Sequence, residues 1–374
     1  MQRCGYWLNA LFEMKRYVER SRQGHQGMDQ SMVCAVFWLS ASWFITVWQR
    51  TFTSRPVNGS GGQSPILNQL GQTTVALFFM ITGFLFTLKA ASPKINWKAL
   101  YLSRLARLGP LYVIIVIIVF TVVLTLSDGV IKESFAALTC EFIMWLLFVV
   151  FGRPDINGLP MSWTLIAGVN WSLKYEALFY LLAVPVLHVA ARLFKTCVLS
   201  GLALCLLVAL LLFRSHYGLM GGNSLYVVQF LGGITTAYAF QVPVLRRLIG
   251  CLPFKLLAVV CAAILLSMTY SYSNVSVIAT TVVFASVVGG ASIFGLLNTR
   301  AAIWLGDVSF GIYLIHGLTL WMTFTGLAQL TPLADLKLPI FSMIVLSVAS
   351  LVTLLASFSY IHVERPIMQR LAKH

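Results

Sequence analysis

Long apolar runs separated by short polar stretches dominate this chain. Each run approaches the ~20 residues that a helix needs to cross a bilayer. Backbone groups in lipid must be hydrogen-bonded internally, so the runs predict helices and an all-α polytopic membrane protein. The predicted spans are Ser31–Trp48, Thr73–Leu88, Gly109–Leu126, Phe135–Phe151, Tyr175–Ala191, Val198–Phe213, Leu225–Phe240, Leu257–Tyr270, Val275–Leu297, Ile303–Phe324 and Ile340–Ile361.

The composition supports the same class. The 374 residues are 59% hydrophobic and 10% charged, with a mean hydropathy of +0.86, which leaves no room for a large soluble domain. We expect a basic cytoplasmic segment over residues 1–30, one membrane domain over 31–366 and a cytoplasmic tail over 367–374. The 7 cysteines are scattered, with no CxxC and no zinc-ligand spacing, so no metal is expected.

The charge distribution predicts the topology. The net charge of +15 comes from Lys and Arg in short loops between spans, where basic residues mark the cytoplasmic side and favour anionic headgroups. Membrane lipids, not nucleic acid, are therefore the expected partners. The positions of the basic clusters favour about ten crossings with both termini cytoplasmic. They also require a partly re-entrant or surface-lying stretch between about Ser134 and Leu173, and twelve crossings remain an alternative.

A histidine inside an apolar run is the first candidate for chemistry. It ends the segment Leu305-Gly-Asp-Val-Ser-Phe-Gly-Ile-Tyr-Leu-Ile-His316. A charge at hydrocarbon depth costs roughly 2.5 to 3.5 kcal/mol, so such groups need partners or a water-filled cavity. On a helix, Ser309, Tyr313 and His316 share one face, which predicts a buried polar site.

Two further polar groups accompany predicted spans. Arg104 and Arg107 lie one helical turn apart and could clamp a phosphate-rich ligand, or simply anchor the helix at the cytoplasmic surface. Glu176 enters an apolar helix one turn before Tyr180, whose phenol could cap the carboxylate. A buried glutamate of this kind is either a base or counter-ion, or half of a structural ion pair.

A last polar group closes the final span. In His362-Val-Glu364-Arg-Pro366, the proline favours a solvated helix end over catalysis.

Taken in order, these motifs resemble one family. An FF-x-x-[ST]-GF-L segment precedes R-x-x-R-x-x-P-x-Y, W-S-L-x-x-E-x-x-FY, LG-x-x-S-[FY]-x-IYL-x-H and a terminal E-x-P. Over roughly Gly71 to Pro366 the chain resembles the acyltransferase 3 family of integral membrane O-acyltransferases, which includes bacterial polysaccharide O-acetyltransferases.

The resemblance implies an enzyme of the bacterial inner membrane. It would move an acyl group, usually acetyl, from acyl-CoA to a hydroxyl of a cell-surface or exported glycan. His316 and Glu176 would be catalytic, because a sugar hydroxyl needs a general base. Arg104 and Arg107 would hold the polyanionic acyl-CoA, the only cofactor implied. The implied substrate-binding residues are Trp171, Tyr180, Ser309 and Tyr313.

The first predicted span departs from the family pattern. Family members usually open this span with an arginine and end it, about three turns later, with a histidine, but Ser31–Trp48 contains neither. The chain is then a divergent or inactive member, or its N-terminal segment is not the family's. A shifted reading frame across roughly Arg20 to Arg50 would give the same pattern.

A different class of function remains open at this level. A transporter or flippase of a glycan or lipid-linked sugar could use Glu176, Asp307 and His316 as a proton relay. The sequence lacks the paired, Gly/Pro-broken spans that inverted-repeat transporters usually show.

Overall fold

The fold is helical throughout the part of the chain that the structure describes. This structure is a computed structural model, and it describes residues 65–218, 223–268, 273–291, 299–330 and 338–371. These residues contain no strand, only an isolated bridge between Ile156 and Leu159. The all-α prediction is therefore confirmed. The predicted N-terminal segment and first span, with its missing Arg/His pair, lie outside the described residues.

Fourteen α-helices, two π-helical turns and one 3₁₀ helix make up the described chain. The α-helices are α1 (Pro65–Ala90), α2 (Trp97–Leu126), α3 (Phe135–Leu146), α4 (Asn170–Leu178), α5 (Val184–Leu193), α6 (Thr196–His216), α7 (Asn223–Gln241), α8 (Pro243–Gly250), α9 (Leu252–Ser267), α10 (Asn274–Val288), α11 (Arg300–Asp307), α12 (Ser309–Leu330), α13 (Leu338–Ser359) and α14 (Arg365–Leu371). The π turns Phe179–Ala183 and Tyr360–Glu364 join α4 to α5 and α13 to α14, and the 3₁₀ helix is Ser162–Ile166.

Six of the described helical segments are long and apolar enough to cross a membrane. They are Gln72–Ala90, Trp97–Leu126, Asn170–Leu193, Thr196–His216, Ser309–Leu330 and Met343–Leu371. A seventh is possible where α7 and α8 meet at a bend of 109°. Helices α3, α9 and α10 are shorter than a span. Ten crossings thus stay a prediction, while the multi-pass class is established.

Close helix packing at glycines shapes the interior. A Cβ on Gly83 of α1 would lie 2.4 Å from the carbonyl oxygen of Phe230, and one on Gly233 of α7 would lie 2.0 Å from that of Met80. Only glycine permits so close an approach of two backbones. Small residues serve this purpose in membrane proteins, because the hydrophobic effect does not drive helices together within lipid. Helices α1 and α7 are therefore in close backbone contact.

The segment between α3 and α4 folds inward. Its 3₁₀ helix packs against the middle of α12, where Ile166 and Ala167 lie so close that a Cβ on Gly317 would be 2.3 Å from the Ile166 carbonyl carbon. Ile166 is fully buried and Ala167 nearly so. Most of residues 162–170 is buried against the rest of the protein, and this stretch is too short to span, so a partly re-entrant or surface-lying stretch stays a prediction.

The end of the last span also differs from its prediction. The helix does not stop at Pro366 but continues as α14 to Leu371, since proline is tolerated in the first turn of a helix. Glu364, in the π turn before it, is 1% exposed and therefore not solvated. The prediction for residues 362–366 is therefore wrong for Glu364 and for the end of the helix, whereas His362 and Arg365 are exposed.

Candidate functional site

A cavity lies between α1, α2, α4 and α12. Its empty volume, open mouth included, is about 870 Å³. Helices distant in sequence contribute most of the predicted site residues: Arg104, Arg107, Glu176, Tyr180, Ser309 and Tyr313. The remaining lining side chains are mostly apolar: Val75, Phe78, Ile81, Thr82, Leu85, Phe86, Leu108, Leu173 and Phe310.

One end of the cavity is positively charged, and we call Phe86, Arg104 and Tyr180 its basic end. The Arg104 guanidinium carbon lies 5.1 Å from the centre of the Phe86 ring, a cation–π distance. The Phe86 and Tyr180 rings are 4.4 Å apart. Arg104 also lies within hydrogen-bonding range of the Tyr180 hydroxyl. Its Nε is buried and has no hydrogen-bond partner among the described residues, so the guanidinium keeps a donor for a ligand.

A carboxylate adjoins the basic end. Glu176 is 4% exposed, and its Oε1 accepts a hydrogen bond from the Tyr180 hydroxyl one turn later, as the i, i+4 spacing predicted. Because Tyr180 also faces Arg104, the phenol connects a cation to a carboxylate. The π-helical turn that begins at Phe179 places Tyr180 there, and such turns often occur at functional sites.

Arg107 is the second cation of the cavity. It makes no hydrogen bond to another residue in the described ranges, but it lies within electrostatic range of Glu364. Glu364 accepts a hydrogen bond from the Ser359 hydroxyl at 3.3 Å. Helix α14 and the π turn pack on α2, which explains how the end of the last span comes to lie near the R-x-x-R motif.

The other end of the cavity is apolar, and we call Val75, Phe78, Leu173 and Tyr313 its apolar end. The rings of Phe78 and Tyr313 are stacked, with centres 6.5 Å apart and planes at 15°. The Tyr313 hydroxyl lies 2.6 Å from the Ser172 hydroxyl and donates to the Val169 carbonyl oxygen at 3.1 Å. This phenol is thus fixed, and its ring forms part of the wall.

Two predicted site residues do not line the cavity. His316 is 3% exposed, its ring centre is 5.9 Å from that of Tyr313, and its Nδ1 lies 3.2 Å from the Ile312 carbonyl oxygen. It is therefore one turn beyond the apolar end. Trp171 packs instead on Phe79 and Tyr226, with ring centres 6.0 and 4.7 Å away.

The sequence reasoning missed three residues of this site. Phe78 and Phe86 line the cavity but look like ordinary core aromatics in an apolar run. Glu364 was assigned to solvent. The signal that could have identified Glu364 was its place in the terminal E-x-P motif. A carboxylate in that motif could pair with an arginine of the R-x-x-R motif.

The fold and cavity define a multi-pass helical membrane protein with a charged site buried between its spans. A sequence model of the acyltransferase 3 family, described as an acyltransferase domain, matches residues 26–362. The chain therefore belongs to this family and is a membrane acyltransferase. The matched range includes the predicted first span, Ser31–Trp48. No curated protein and no solved structure matches the chain significantly.

Proposed function

We propose that this protein transfers an acyl group, with acetyl as the expected one, from acyl-CoA to a hydroxyl of a cell-surface or exported glycan. The observation that carries the proposal is one cavity whose lining combines two arginines and a buried carboxylate with mostly apolar side chains. Such a cavity suits a donor that is polyanionic at one end and carries a small apolar group at the other.

The arginines account for the donor. Coenzyme A is polyanionic, and guanidinium groups bind phosphates through two parallel hydrogen bonds. The buried, unpartnered Nε of Arg104 and the absence of hydrogen bonds from Arg107 within the described ranges leave donors for these phosphates. Basic residues cluster around the connection between α1 and α2: Lys89 in the last turn of α1, Lys94 in the loop and Lys98 in the first turn of α2. Their positions support a cytoplasmic location for this end, where acyl-CoA is found.

The reaction itself needs a base near the thioester. The acceptor oxygen attacks the thioester carbonyl carbon while its hydroxyl proton passes to the base. The C–S bond then breaks, and the base returns the proton to the departing sulfur, so that coenzyme A leaves as the thiol. His316 suits this role. A carbonyl oxygen only accepts, so the contact with Ile312 places a proton on Nδ1 and leaves Nε2 as an acceptor. Glu176, held by Tyr180, would be the second catalytic group.

The acceptor would approach from the opposite side. We place the protein in the bacterial inner membrane with both termini cytoplasmic, so that α12 runs from the arginines toward the outer surface. His316 lies beyond the apolar end in this direction. Ser309 and Tyr313 would contact the bound donor, and Trp171 would contact the glycan.

Reconstitution tests the proposal. Purified protein in liposomes receives acetyl-CoA labelled in the acetyl group, together with total envelope glycan. We expect labelled glycan ester from the wild type and a loss of about 10²-fold or more in Glu176→Gln and His316→Ala. Glu141→Gln is the matched control, because Glu141 is also buried but accepts a backbone hydrogen bond from Asn157 outside the cavity.

The arginines have their own control. Arg246 lies 4.9 Å from the Phe240 ring centre, much as Arg104 lies over Phe86, but it does not line the cavity. Arg104→Lys should raise the KM for acetyl-CoA, whereas Arg246→Lys should not. Movement of glycan without acetyl-CoA would contradict the proposal and favour a transporter. A wild type that transfers no label would indicate an inactive member of the family.

A further inference from the structure

The side chains at the apolar end of the cavity bear on the length of the acyl chain that the donor can have. The side chains that line the cavity recur along α1 from Phe86 to Val75, a separation of eleven residues, or about 16 Å of helix. Arg104 lies over the Phe86 ring, and Glu176 is bonded to Tyr180, which packs on the same ring. Val75 and Phe78 line the cavity earlier in α1, and Phe78 stacks on Tyr313. A donor bound by its phosphates at the arginines would therefore direct its thioester and acyl group toward Phe78.

Two aromatic side chains form part of the wall at that end. Phe78 and Tyr313 are stacked with their planes at 15°. The Tyr313 hydroxyl is held by Ser172 and Val169, so its ring has little freedom to move away. Behind Phe78, its neighbour Phe79 is fully buried against Phe230, with ring centres 4.7 Å apart. A longer acyl chain would therefore have to displace the Phe78 ring from Tyr313.

We propose that Phe78, backed by Tyr313, is the residue that limits the acyl chain to a short one. This inference rests on the proposed function, because it assumes an acyl-CoA in the cavity. In a pocket of fixed size, one methylene too many changes the specificity by roughly 10- to 200-fold. A side chain that closes the pocket therefore determines which acyl group is transferred.

The test compares two chain lengths in one protein. The ratio of kcat/KM for hexanoyl-CoA to that for acetyl-CoA does not depend on how much of a variant folds. In Phe78→Ala we expect this ratio to rise at least about tenfold over the wild type. Leu85→Ala is the matched control: Leu85 lines the same cavity seven residues along α1 toward the arginines, and the ratio should stay constant there.

A binding measurement separates this inference from the proposed reaction. S-ethyl-CoA and S-hexyl-CoA are thioethers that cannot transfer their alkyl groups. We expect Phe78→Ala to improve the affinity for S-hexyl-CoA relative to S-ethyl-CoA, also by about tenfold. If wild-type protein transfers no acetyl group but this shift occurs, the reaction fails and the chain-length assignment stands.

Two results would overturn the inference. One is an unchanged chain-length ratio in Phe78→Ala while the wild type transfers acetyl groups. The other is an equal shift in Leu85→Ala, which would mean that any enlargement of the cavity relaxes the preference.

Discussion

The hydroxyl of Tyr180 donates a hydrogen bond to Glu176, one helical turn before it, while the same phenol faces the Arg104 guanidinium. The phenol thereby orients the carboxylate and connects it to the cation that we assign to the donor phosphates. Leaving a buried phenol without a hydrogen bond costs free energy, so the bond to Glu176 stabilises this position of Tyr180.

Tyr180→Phe should therefore impair turnover more than donor binding. The ring remains packed on Phe86, but the hydrogen bond to Glu176 is lost. We expect kcat for acetyl transfer to fall by at least about tenfold, a loss of one charge-assisted hydrogen bond, with the KM for acetyl-CoA changed less than threefold. Steady-state kinetics in liposomes measures both.

Tyr112→Phe is the control for this substitution. Tyr112 is fully buried and its hydroxyl donates to the Trp145 carbonyl oxygen at 2.7 Å, away from the cavity. It should lower the thermal unfolding temperature without the selective loss of kcat. An equal loss of kcat in both variants would show that Tyr180 acts only through stability.

Glycines of α12 give a prediction about packing. Gly317→Ala would place a Cβ 2.3 Å from the Ile166 backbone and displace the inward-folded 3₁₀ helix. We expect the variant to unfold at a lower temperature than the wild type, because overpacking lowers the free energy of unfolding by about 1–3 kcal/mol. Gly326→Ala in the same helix meets no atom within 4 Å and should be neutral or stabilising by up to about 1 kcal/mol. Similar unfolding temperatures for the two variants would contradict the close approach.

A buried amide at the start of α4 gives a third prediction. Asn170 is fully buried, and neither of its amide atoms has a hydrogen-bond partner in the described part of the chain. Asn170→Leu has a similar shape and removes the unsatisfied groups, so it should raise the free energy of unfolding by about 1–3 kcal/mol. Thermal unfolding in detergent, without ligand, measures this. A lower unfolding temperature would mean that the amide has a partner in the folded protein.

The sequence predicted individual spans well because apolar runs are local information. Thr73–Leu88 corresponds to α1, and Val198–Phe213 lies within α6. The number of crossings could not be read in the same way. Phe135–Phe151 satisfies the hydropathy rule, yet its helix ends at Leu146, followed by Phe148 and Val149 at positive φ. The turn is fixed by contacts with α2, such as the stacking of Phe148 on Tyr112.

Contacts in the candidate site were predictable where two polar residues lie one helical turn apart in the sequence. The pair Glu176 and Tyr180 is one example, since the i, i+4 contact follows from the helix alone. The position of His316 was not predictable. It shares a helix face with Ser309 and Tyr313, but the cavity ends at Tyr313 because Ser172 and Val169 of another segment hold that ring in place. Contacts between distant segments carry this information.

The last prediction concerns Arg107 and Glu364, which lie within electrostatic range at the junction of α2 and the final π turn. Arg107→Leu removes the cation and leaves a carboxylate that is 1% exposed and accepts a hydrogen bond from the Ser359 hydroxyl. An uncompensated buried charge costs more than the loss of both charges. Arg107→Leu should therefore unfold at a lower temperature than the double variant Arg107→Leu/Glu364→Leu.

The control for this prediction is a second buried carboxylate. Adding Glu141→Gln to Arg107→Leu should not raise the unfolding temperature, because Glu141 is bonded to Asn157 in a different region. Thermal unfolding of the wild type, Glu364→Leu and these three variants in one detergent makes the comparison. Additive losses for Arg107→Leu and Glu364→Leu in the double variant would show that the two charges do not compensate each other.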